Sequence, residues 1–116
     1  MRLPPDLQRE FEILLQQPPM KTRAVRRQLS ERMETAHSGS LGSSELLKEC
    51  ERSLTGMLGI IQRKTTPLYV RLIHSAVSYF CACVEDGTPE ALEKAAAVID
   101  SVAATTKREA FRISRT

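Results

Sequence analysis

His74 and Cys81 are the residues whose types best suit metal ligation or nucleophilic chemistry, and both fall on one side of the chain's most apolar segment. Their spacing argues against a shared task. Chelation along a helix uses partners three or four residues apart, whereas seven residues separate these two by about 10.5 Å along a helix axis. A metal set would need ligands from other segments, and His37 is the only other histidine. A Cys–His nucleophilic pair meets the same distance objection and lacks an acid spaced to orient the imidazole. Neither a metal, a cofactor nor an enzymatic activity is therefore expected.

The same side of that segment carries Arg71, Ser75, Ser78 and Glu85. With His74 they could line a small polar pocket, the basis of a small-ligand or enzyme site around Arg71, His74 and Ser78. The favoured reading is plainer: a solvated strip on a central helix, or one that hydrogen-bonds to a neighbouring helix.

Two basic clusters could meet phosphates: Lys21, Arg23, Arg26 and Arg27, and Lys107, Arg108, Arg112 and Arg115. No aromatic residues interleave them, and Glu31, Glu34 and Glu109 dilute them. Nucleic-acid binding is accordingly the second functional reading. Arg26-Arg27-Gln28-Leu29-Ser30 also has the form of a basophilic kinase site at Ser30. Gly39 and Gly42 lie in a Ser-rich stretch with no preceding strand and no Lys-Ser/Thr sequel, so no phosphate-binding loop is indicated.

Gly56 and Gly59 carry more information. On a helical wheel they fall away from the apolar seam, towards Arg52 and Arg63. Each costs ~1 kcal/mol relative to Ala inside a helix. Close approach of another backbone there, from a partner chain or from the N-terminal helices, is favoured over a bend. Ala97, Ala104 and Phe111 recur every seventh residue, off the main stripe of their helix, and form a second expected contact patch.

The segments that must position these residues are helical by period. Leu7, Phe11, Leu14 and Leu15 make one stripe after Pro4-Pro5, and Pro18-Pro19 stops it. Val25, Leu29 and Met33 make a narrow stripe over about 22–35, which predicts a peripheral helix. Ser38 to Ser43 is the one Ser/Gly-rich stretch and predicts a flexible connector. Leu47, Cys50, Leu54, Met57 and Ile61 step by three and four from a Ser43 or Ser44 cap. Thr66-Pro67 and Gly87-Thr88-Pro89 open the next two helices with a cap followed by proline at the first turn.

The expected fold is an all-α bundle of four to five helices. A central apolar helix spans about 67–85 and a long C-terminal helix about 89–113. Residues 1–38 form an N-terminal helical arm, 39–43 the linker, and 44–116 a three-helix core.

Composition agrees. The 116 residues are 41% hydrophobic and 27% charged, with five aromatics, which points to a folded aliphatic core and excludes a collagen-like repeat, a disulfide-dense secreted scaffold and a membrane-embedded bundle. The net charge of +3 divides as +2 over 1–38, +1 over 39–66, −3 over 67–106 and +3 over 107–116. Cys50, Cys81 and Cys83 lie in apolar surroundings, and three cysteines cannot all pair within one chain. That usage suggests the reducing cytoplasm. Met1 to Asp6 lacks the apolar run of a secretory signal, and no membrane partner is expected. The leading functional expectation is a non-catalytic cytoplasmic interaction module, an adaptor or regulator that binds another protein or itself.

Overall fold

A computed structural model describes residues 3–18, 20–61 and 67–115, with side chains through Thr106. Five helices follow in order: α1 (Pro5–Leu15), α2 (Thr22–His37), α3 (Glu45–Ile61), α4 (Pro67–Asp86) and α5 (Pro89–Arg115). No strand occurs among the described residues. The fold is the expected all-α bundle.

Local chemistry sets most boundaries. Pro5 opens α1, where a missing N–H costs nothing. Ser44 Oγ accepts the Leu47 N–H at 3.3 Å, which caps α3. Gly87, at φ +73°, ends α4 in the left-handed conformation that glycine adopts without strain. Thr88 Oγ1 then accepts the Ala91 N–H at 3.2 Å and donates to the Asp86 carboxylate at 2.7 Å. The expected Thr66 cap lies outside the described residues.

The Ser/Gly stretch departs from the flexible connector expected of it. Gly39 N–H bonds to the Ala36 carbonyl, Gly42 N–H to that of Gly39, and Ser44 N–H to that of Leu41. Leu41 is buried in the main core. A Cβ at Gly42 would sit 2.3 Å from the His37 carbonyl oxygen, so only glycine fits this closure. One leucine and one close approach convert a low-complexity string into a shaped turn.

α4 is the hub and packs against all four other helices. Ile73, Ala76, Val77 and Phe80 are fully enclosed. α5 covers them with Leu92, Ala95, Val98, Ile99 and Val102, and α3 contributes Leu47, Leu54 and Met57 to the same core. By length and composition α4 could cross a membrane, but 61% of its apolar window is buried inside the protein. Leu68 is 59% exposed near the start of the helix, whereas Tyr79 is buried.

α2 is more than peripheral. Val25, Leu29, Met33 and Ala36 are all buried. A narrow stripe suffices because α2 packs along α4, with only a light contact to α3 on its other flank. Residue pairs fix the directions. His74 meets Thr22, Cys81 faces Gln28 and Glu85 pairs with Arg32, so α2 runs parallel to α4. Tyr79 meets Glu10 and Arg71 meets Leu15, so α1 runs antiparallel to it. α1 is seated by Phe11, wholly buried, and by Leu7. Burying a side chain of that size is worth about 2–3 kcal/mol, whereas the exposed Arg32–Glu85 pair contributes about 0–1 kcal/mol. Apolar contact attaches the arm; the polar pairs set its register.

Candidate functional site

Three places bring together residues of possible function: the polar strip of α4, the outward face of α3, and the start of α2.

The strip is an interface between helices, and the fully solvated alternative does not apply. Arg71 donates to the Leu15 carbonyl at the end of α1. His74 Nε2 lies 3.1 Å from Thr22 Oγ1, in the first turn of α2. The Cys81 thiol faces the Gln28 carbonyl at 4.0 Å, and Glu85 forms an exposed ion pair with Arg32. His74 and Cys81 thus have separate partners. Burial holds the His74 pKa below the ordinary imidazole value, which favours a neutral ring.

Four members of the strip also wall a small cleft that opens to solvent: Arg71, His74, Ser75 and Ser78. Leu14 and Leu15 from α1, with Gln17, Pro18 and Met20 from the link to α2, form the other side. Glu85 lies away from it, two turns further along α4.

All three cysteines are free and buried. Burial pushes the Cys50 thiol up to about 12, and those of Cys81 and Cys83 to about 11. They are protonated at neutral pH and pack as small hydrophobes. Among the described residues no group of three His, Cys, Asp or Glu side chains converges on a common point.

On α3, Gly56 and Gly59 point outward, and among the described residues nothing stands within 4 Å of a Cβ placed on either. The N-terminal helices do not make the close approach considered for them. On one side an open cleft runs along the α3–α5 seam, between Arg52, Gly56, Met57, Ile60 and Ala103. On the other an open cleft lies between α3 and α2, lined by Arg26, Ser30, Met33, Glu51 and Thr55. Ser30 is exposed at this second rim. Arg63 lies outside the described residues.

Of the other expected contact patch, Ala97 is part-buried against the core and Ala104 is exposed. α5 buries Val98 beside Ile99, which widens its inward face towards Ala97. Phe111 lies beyond the described side chains.

The basic cluster at the start of α2 is divided by its partners. Lys21, Arg23 and Arg27 are exposed. Arg26 reaches across to α3 and donates to the Leu58 carbonyl at 3.0 Å. Leu58 belongs to the last turn of a helix that has no basic residue of its own there, so Arg26 supplies both a donor and a compensating charge. Sequence spacing gave no sign of this role. Lys107, Arg108, Arg112 and Arg115 lie on the helical end of α5, beyond the described side chains.

Comparison with protein-family models, with curated proteins and with solved structures yields no match.

Proposed function

We propose that this protein is a non-catalytic helical interaction module that self-associates through the outward face of α3. The observation that carries this reading is the open ridge at Gly56 and Gly59 between two clefts. Inside a helix each glycine costs ~1 kcal/mol relative to alanine, and no contact among the described residues returns it. A second copy laid across the ridge would bring two backbones together where side chains cannot, with Arg52 and Met57 at the flank. Small residues on a helix face permit close packing of this kind.

The test sets stability against association. Gly56→Ala with Gly59→Ala fits the open space and raises monomer stability by up to ~2 kcal/mol, from the helix-propensity difference. The same two methyl groups hold the copies apart. Sedimentation equilibrium from micromolar to millimolar concentration is expected to show a concentration-dependent dimer for the natural sequence. The double variant is expected to dissociate more readily while melting at a higher temperature. A natural chain that stays monomeric throughout, or a variant that associates equally well, contradicts the proposal.

A further inference from the structure

Among the described residues, the large apolar side chains that stand in water all stand at one end of the bundle: Ile13, Met20 and Leu68. Ile13 is in the last turn of α1, Met20 in the link to α2, and Leu68 in the first turn of α4. α1 runs antiparallel to α4 and α2 parallel to it, so these segments share that end. A single exposed aliphatic is ordinary, whereas three drawn to one place make a patch. The same end is basic. Lys21, Arg23 and Arg27 are exposed at the start of α2, and Arg71 is exposed one turn after Leu68, with Glu12 on α1 set against them. α5 adds to it. Its 27 residues measure about 40 Å and the 20 of α4 about 30 Å, so its last two turns run past the start of α4. That stretch holds Phe111, Arg112, Ile113 and Arg115. Cations there suit the dipole of α5, but Lys21 and Arg23 sit at the unfavourable end of α2, so helix stability does not account for them. The opposite end of the bundle exposes Glu34, Glu45, Glu85, Asp86 and Glu90.

The pairing of cations with aliphatics selects the partner. Nucleic-acid phosphates would satisfy the charges but leave Ile13, Met20 and Leu68 in water, since bases are gripped by aromatic stacking. A second copy stacked end to end would offer its acids, but no large apolar side chain is exposed at its acidic end among the described residues. An anionic lipid surface meets both halves of the pattern: its headgroups carry the negative charge, and the boundary beneath them takes apolar side chains. We propose that this end of the bundle docks on an anionic lipid surface, with Ile13, Met20 and Leu68 entering the headgroup layer and Lys21, Arg23 and Arg27 facing the lipid charges. The acidic end then points away from the surface. Such a contact is peripheral and needs neither a secretory signal nor a spanning segment, so the burial of α4 does not oppose it.

The test is cosedimentation of the full chain with vesicles of equal parts phosphatidylcholine and phosphatidylserine. Vesicles of phosphatidylcholine alone and a titration with double-stranded DNA run beside it. Binding to the mixed vesicles and not to phosphatidylcholine alone is expected, and it falls as salt rises. Arg23→Gln with Arg27→Gln removes two exposed charges and is expected to bind the mixed vesicles about thirtyfold more weakly. Ile13→Gln with Leu68→Gln keeps every charge and is expected to bind them about tenfold more weakly, through lost apolar burial alone. All four positions are exposed, so both variants are expected to melt with the natural protein, which separates a lost contact from a lost fold. Binding to neither vesicle, equal binding to both, or undiminished binding by either variant overturns the proposal. DNA binding tighter than vesicle binding would assign this end to nucleic acid and overturn it as well.

Discussion

His74 shares a hydrogen bond with Thr22 at the point where α2 begins, and the charges near it are positive: Arg71 one turn earlier on α4 and the dipole end of α2. Its pKa is lowered by burial. The unfolded imidazole therefore takes up its proton near pH 6.5, and the folded one only at lower pH. Between those values the unfolded state holds more protons, so stability rises with pH. The contribution is complete above pH 6.5 and is lost as the pH falls through the folded value. Urea unfolding at pH 7.5 and pH 5 is expected to give a lower midpoint at pH 5. His74→Gln, which keeps a polar atom near Thr22 but cannot titrate, is expected to reduce that difference. An identical drop in the variant would assign the pH dependence to other groups.

Tyr79 illustrates the same point about partners. It is buried, and its hydroxyl donates to the Glu10 carboxylate at 2.7 Å. Burial and that bond raise its pKa above the ordinary phenolic value. Only the arrival of α1 makes the position intelligible.

Among the elements, the turn at 38–44 offers the sharpest test. Gly42→Ala would press a methyl group to 2.3 Å from the His37 carbonyl oxygen, a contact with backbone that cannot swing aside. The variant is expected to lose ~1–3 kcal/mol by chemical denaturation, in the range of overpacking substitutions. A flexible connector would tolerate the change, and an unaltered midpoint would restore that description.

How much of each element was legible follows from how local its causes are. The stop and start between α4 and α5 depend on Gly87, Thr88 and Pro89 alone, and could be read directly. The apolar periods of α1, α2 and α3 announce helices because a helix repeats every 3.6 residues wherever it packs. The turn at Leu41 could not be read, since its burial needs the core to be in place. Nor could the fate of the strip from Arg71 to Glu85, which a sequence leaves equally fit for water, a cavity or another helix. Four of its residues do meet at one cleft, because positions 71, 74, 75 and 78 share a face whatever covers it. The role of Arg26 in closing α3 rests on a contact across 32 residues of sequence and left no local trace.

At the scale of the whole molecule, one helix organises the rest. α4 carries too wide an apolar face for a two-helix contact, and α1, α2, α3 and α5 together enclose it. Antiparallel succession follows from the short connections, and it places α2 parallel to α4 so that the polar strip closes against the N-terminal arm. The α3 face then remains open, which is where the association proposal lies. The enclosure of α4 is the premise beneath every other inference, because the cleft, the register of the arm and the exposure of Gly56 and Gly59 all depend on it.

Native-state hydrogen exchange, resolved by residue, tests that premise most directly. Amides from Leu72 to Cys83 are expected in the slowest class, opening only with global unfolding, and the amides of Val25 to Met33 are expected to exchange with the same free energy as those of α3. Fast exchange in the middle of α4, or an α2 that opens well below the global free energy, would contradict the account.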